Sequence, residues 1–282
     1  MLFAINYSLP AADLLRAGVI EIDRFKCPNW PDLIAEASAL RPVYVHFDLI
    51  AGDDRLADVD WGSIERALIE TETPFVNLHL APTLNAFAEF TAEPLSAAQE
   101  ERVIEKMAAE LEQVIARFGA DRVLVENIPY RGKHWKKEGR RFLATAVKPK
   151  IFSQLIRELG VGFLFDISHA RIAASNLGWD EREYIAALPL ERIREVHVTG
   201  LAMIDDFLTD HLAMREEDWQ IFDWVIELMQ AGTAAAPWLL AFEYGGVGPK
   251  FEWRTDPEAI AADAPRFYAA VQSVNLALPP AR

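Results

Sequence analysis

Histidine and carboxylate side chains recur in this sequence directly after short apolar runs. His46 follows Val43-Tyr-Val, His79 closes Asn77-Leu-His, and Glu126 follows Val123-Leu-Val. Asp166 closes Gly162-Phe-Leu-Phe-Asp with His169 three residues on, His197 stands two after Glu195, and Glu243 follows Ala241-Phe. Asp210 and His211 are neighbours in the stretch before the last run. Burying such groups beside apolar strands is costly unless something pairs with them. Several carboxylates converging on one face repel one another and call for cations between them. Neutral imidazole and carboxylate together suit zinc, manganese or iron. Of the 6 histidines, only His134 lies away from this pattern.

Each residue alone has a plainer explanation. A single histidine after a strand is often a hydrogen-bonded structural group, Glu126 could cap a loop, and Asp166 with His169 could form a local turn. The set as a whole carries the reading of a metal centre. Its expected ligands are His46, His79, Glu126, Asp166, His169, His197, Asp210, His211 and Glu243. Among these, His46, Asp210 and His211 act either as ligands or as groups that orient them. Because Asp210 and His211 are adjacent, only a bent loop could bring both to one ion.

The elements that must position these groups alternate along the chain. Apolar runs at Leu2–Tyr7, Val19–Ile22, Val43–Phe47, Phe75–Leu80, Arg122–Glu126, Gly162–Asp166, Ile193–Val198 and Trp238–Glu243 read as strands. Most are continuous rather than alternating, as parallel strands covered on both faces should be. Amphipathic segments lie between them. Ser96 and Gln99 have capping-box spacing and open a helix to about Phe118, stopped by Gly119. Asp256-Pro257 reads as a cap with proline at the first helical position, and Gly160 ends the helix before the sixth strand. Eight such repeats without a linker favour a single (β/α)₈ TIM barrel over residues 1–282, whose active site lies at the C-terminal strand ends. A doubly wound open sheet is the runner-up, but no glycine-rich phosphate loop follows the first strand.

Bulk properties bound the function. With 282 residues, 51% hydrophobic and 25% charged, the composition is that of a globular protein. A formal charge of −15 argues against a broad grip on nucleic acid, which needs clustered Lys and Arg. The one cysteine, Cys27, reads as an apolar filler rather than a catalytic thiol, and it fits a reducing compartment. The start MLFAINYSLP lacks a signal peptide's pattern, and no stretch reaches the roughly 20 apolar residues of a membrane span. The expected location is the cytoplasm.

The segments YVHF, NLHL, VENIPY, FDISHARIAA, VHVTG and FEYGG resemble, in order, those of the xylose-isomerase-like barrels, which include the endonuclease IV type. In that superfamily histidines end early strands, and a Glu, an Asp-x-x-His pair, a His and a final Glu end later ones. Within it, LPLERIREVHVTG with VENIPY before and TDH after is similar to the bacterial family containing the multinuclear iron enzymes of methanobactin maturation. Its members usually carry D-x-H where this chain has Asp210-His211, and often Asn where it has His169. The resemblance implies divalent metal ions, two or three of them, as zinc, iron or manganese. In the sugar isomerase and epimerase branch it implies catalytic roles for Glu126 and Glu243, which hold the metal and move a proton beside a carbonyl. The arginine that usually follows the histidine there is replaced by Met203.

The basic stretch from Arg131 to Arg141 follows Glu126 and is unusual in so acidic a chain. Arg131, Lys133, Lys136 and Lys137 are candidates to bind an anionic small molecule or peptide, against the plainer reading of a solvated loop. The favoured function is a metal-dependent enzyme acting on a small sugar-like or phosphorylated substrate, isomerase-like or phosphoester hydrolase-like. A multinuclear iron oxidase modifying a peptide and a non-catalytic ligand-binding barrel are the alternatives.

Overall fold

The computed structural model describes residues 1–87, 89–91, 93–137, 139–249, 251 and 255–277. Among them the main sheet runs β3 (Val43–His46), β2 (Arg24–Pro28), β1 (Leu2–Asn6), β11 (Leu239–Phe242), β8 (Ile193–Val198), β7 (Gly162–Asp166), β6 (Val123–Glu126), β5 (Val76–Leu80), β4 (Ile50–Ala51). All its pairings are parallel. Helices α1 (Leu9–Arg16), α2 (Pro31–Ser38), α3 (Trp61–Glu70), α4 (Ala97–Phe118), α5 (Pro149–Leu159), α6 (Ile167–Leu177), α7 (Glu181–Ala186), α8 (Glu216–Gln230) and α9 (Pro257–Ala277) lie between and after the strands. This is the expected TIM barrel. Leu2, Ala4, Tyr44, Leu239 and Ala241 form a small cluster on the inner face. Phe3, Ile5, Phe25 and Cys27 belong to the large outer cluster against the helices.

The sheet curls round on itself with a seam between β3 and β5, where no ladder forms. Side chains join the two strands instead. Asn77 accepts from Phe47 N through Oδ1 at 2.8 Å and donates through Nδ2 to Phe47 O at 3.1 Å. Val45 N donates to Thr73 Oγ1 at 3.0 Å, and beyond the strand end His79 N donates to Leu49 O at 2.8 Å. The carboxamide of Asn77 thus does what a neighbouring backbone would do, offering one acceptor and one donor.

The boundary signals hold where they rest on backbone chemistry. Ser96 and Gln99 form both halves of the capping box on α4, and Gly160 ends α5 in the left-handed region at φ 70°. Asp256 accepts from Glu258 N at 2.9 Å in front of Pro257. Two expectations need correction. The second strand is Arg24–Pro28, not Val19–Ile22. Ile20 and Ile22 are buried, but in a connecting segment that packs on the core, while the lysine inside the true strand disguises its apolar pattern. The stretch carrying Asp210 is not a loop but the second strand of an antiparallel hairpin, β9 (Gly200–Ile204) and β10 (Phe207–Leu212).

Candidate metal centre

Glu126 ends β6 and is 1% exposed. Its Oε2 lies 3.2 Å from His79 Nε2 and 3.6 Å from His46 Nε2. Its Oε1 lies 3.4 Å from His169 Nδ1 and 4.0 Å from His197 Nδ1. One carboxylate therefore faces four imidazoles, three of them from β3, β5 and β8 and the fourth, His169, from the first turn of α6. Among the described residues, ligand atoms within 4.8 Å of one another form three groups: His46, His79 and Glu126; Glu126, Asp166 and His169; His46, His197 and Glu243. Shared residues His46 and Glu126 make them one connected cluster.

Short distances alone do not make hydrogen bonds, and here many do not. His79 Nδ1, Glu126 Oε2, Asp166 Oδ2 and His197 Nδ1 are buried without a hydrogen-bond partner among the described residues. Such atoms are rare in folded proteins because each retains its full desolvation cost. Four of them within one cluster of nitrogen and oxygen ligands are what a site for cations leaves when only the protein is considered. The donor set fits zinc, iron or manganese.

Local structure explains each position. Asp166 closes β7 and caps α6: Oδ1 accepts from His169 N at 2.7 Å, leaving Oδ2 unpaired. The local-turn explanation of this pair thus accounts for one oxygen and not the other. His169 Nδ1 donates to Asn127 O at 2.8 Å, which turns Nε2 to Asp210 Oδ2 at 3.2 Å. His46 accepts from Asn77 Nδ2 at 3.0 Å. On β8, where alternate residues share a face, Glu195 Oε1 accepts from His197 Nε2 at 2.7 Å and leaves Nδ1 towards Glu243 Oε1 at 3.0 Å. A carboxylate behind a histidine in this way sets its tautomer and raises its basicity as a ligand.

Asp210 reaches the cluster because the hairpin is irregular. Its register shifts between Thr209 and Leu212, and His211 sits in the left-handed region at φ 58°. This bulge supplies the bend that adjacent Asp210 and His211 require. It sends Asp210 to His169 and Arg131, while His211 Nδ1 donates to Glu243 O at 2.9 Å. His211 enters none of the three groups.

Electrostatics reflect crowded carboxylates. Burial, helped by the charge of Lys26, holds His46 and His197 well below the usual imidazole range, so both are neutral, as ligands must be. Burial opposes ionisation of Glu126, but the neighbouring His79 outweighs it and holds the carboxyl well below its ordinary value. Burial pushes Asp166 up to about 6 against the pull of His169, and Glu195 up to about 7 against Lys26. It also works against charge on His169, yet Asp166, Asp210 and Glu126 raise that group to about 9.

Lys26, Glu195, Tyr44 and Asn77 belong to the site and were not among the sequence candidates. Lys26 points inward from β2, is 7% exposed and forms an ion pair with Glu243 Oε1; burial lowers its amine to about 8. Glu195 was open to detection, being two residues before His197 on a strand. Of the basic loop, Lys133, Lys136, Lys137 and His134 are exposed. Arg131 is turned inward, donating to Asp210 Oδ1 at 3.1 Å and Leu208 O at 2.9 Å. Cys27 is buried on the outer face, its thiol pushed up to about 12 by burial.

A family model described as RiPP precursor modification enzyme MbnB/TglH/ChrH matches residues 30–240, well over half of the chain. A UPF0276 protein of Acaryochloris marina is 34% identical over 112 residues, 39% of this chain and 37% of that relative. One of Bordetella pertussis is 29% identical over 96 residues, 31% of this chain and 33% of the relative. The chain thus spans little more than a third of the length of these relatives. Among solved structures, a D-tagatose 3-epimerase-like protein has a TM-score of 0.60 at 16% identity, covering 98% of this chain and 99% of its own. The IOLI protein, described with a binding zinc atom, has a TM-score of 0.57 at 12% identity, covering 97% and 99%. At those identities the likeness is one of fold alone, a parallel barrel of strands and helices.

Proposed function

The chain belongs to the MbnB/TglH/ChrH family of RiPP precursor modification enzymes, and from that premise we propose that it is a metal-dependent enzyme modifying a ribosomally made precursor peptide at a multinuclear centre. The observation that carries the proposal is Glu126 facing four imidazoles, in a cluster whose residues carry four buried, unpartnered polar atoms. The family match moves the reading away from a small sugar-like substrate, since the epimerase-like neighbour shares only the fold.

In this proposal Glu126, His46 and His79 would hold one ion, and Glu126, Asp166, His169 and Asp210 would hold another. Bound iron would supply oxygen-dependent oxidation of the peptide. The residues' own work is to hold the neutral imidazoles of His46 and His197 and the carboxylate of Glu126 in place, and Glu195 fixes the tautomer of His197. Lys133, Lys136 and Lys137, exposed on the loop after β6, are proposed to attract an anionic segment of the peptide.

Elemental analysis of protein reconstituted with ferrous iron, followed by mass spectrometry of a short peptide encoded beside the gene and incubated with the protein in air, tests the reading. The expected result is about two iron equivalents and a changed peptide mass. Glu126→Gln should lower metal affinity at least about 100-fold, beyond the loss usual for outer partners, and abolish the mass change. Protein that takes up no metal would leave a ligand-binding barrel. Metal uptake with turnover of sugar phosphates, and an unaltered peptide, would restore the small-molecule reading.

A further inference from the structure

The third ligand group differs from the other two in having a cation of its own. Of the four unpartnered atoms, His79 Nδ1, Glu126 Oε2 and Asp166 Oδ2 belong to the two groups built on Glu126. The fourth is His197 Nδ1, in the group of His46, His197 and Glu243. That nitrogen lies 3.0 Å from Glu243 Oε1, and the same oxygen is the one ion-paired with the Lys26 ammonium. We propose that Lys26 fills the cation position of this third group, so that the centre holds two metal ions rather than three. The inference rests on the metal-centre reading given above.

The strand register makes Lys26 a fixed part of the site. It pairs with Asn6 on one side and Tyr44 on the other, and its neighbours Phe25 and Cys27 point outward into the core, so a strand's alternation leaves Lys26 facing in. A metal shared by Glu243 and His197 would stand about 2.0–2.2 Å from each ligand atom. The ammonium already takes up Glu243 Oε1, the oxygen such an ion would need. Lys26 supplies a compact point charge with three donors, which suits a carboxylate beside an imidazole lone pair. Displacing it would break a buried ion pair, so an incoming ion gains little by competing. Glu243 on this account is an ion-pair partner and not a ligand.

The test counts ions. Wild type, Lys26→Met and Glu243→Gln are loaded with zinc alone, desalted and measured by elemental analysis, with circular dichroism to check folding. The proposal expects about two equivalents in the wild type, one further equivalent in Lys26→Met, and no loss in Glu243→Gln. Equal metal content in wild type and Lys26→Met overturns it, as does the loss of an equivalent in Glu243→Gln. Should Lys26→Met fail to fold, Glu243→Gln decides alone. Zinc absent from every protein would instead remove the metal-centre reading itself, and the inference with it.

Discussion

The guanidinium of Arg131 donates to Asp210 Oδ1 and Leu208 O, and its carbon lies 5.0 Å from the centre of the Trp135 ring. These contacts fix Asp210 against His169, so the arginine acts on the metal centre without facing it. Arg131→Ala should therefore weaken metal binding by about tenfold, the lower end of the effect of outer partners. Competition with a chromophoric chelator measures this directly; affinity equal to wild type would show that the hairpin alone holds Asp210. Several side chains at this scale were legible in advance. Those closing an apolar run, such as Glu126, His197 and Glu243, could be placed because a strand end has one position and one direction. Arg131 was read as a candidate to bind substrate, and its turn towards Asp210 was not legible, because sequence does not say which way a long side chain turns.

The hairpin of β9 and β10 carries Asp210, and its attachment to the barrel depends on Gly200. A Cβ at that position would run into the carbonyl of Ala213, which is backbone and cannot rotate aside. Gly200→Ala should cost about 1–3 kcal/mol through overpacking and lower metal affinity together with Tm. Thermal melts and the chelator competition check both; a variant with wild-type Tm and affinity would mean the hairpin shifts freely. Elements were readable from the sequence where local signals agree, as in α4 with its capping box and stop glycine. They were lost where function intrudes on pattern. Lys26, which pairs with Glu243 inside the barrel, breaks the apolar run of β2, and the polar Thr209, Asp210 and His211 hide β10, the last two turned to His169 and Glu243.

Across the whole molecule, a formal charge of −15 coexists with an interior in which Glu126, Asp166, Glu195, Glu243 and Asp210 are all buried. The barrel that encloses them is not uniformly bonded. Seven of its joins are backbone ladders, with β4 adding a short one to β5, while β3 meets β5 through the side chains of Asn77 and Thr73. His46 ends one edge of that seam and His79 stands near the end of the other, and both lie in one ligand group. Native-state hydrogen exchange reports where such a structure opens. The amides of Val45 and Phe47, bonded to side-chain oxygens, should exchange faster than those of the β6 and β7 ladder in metal-free protein, and slow selectively when zinc is added. Uniform protection in both states would show a seam as firm as the rest. If the barrel opens there first, an ion gripped by His46 and His79 is also a clasp across its weakest edge, and metal loading and breathing of the fold become one equilibrium.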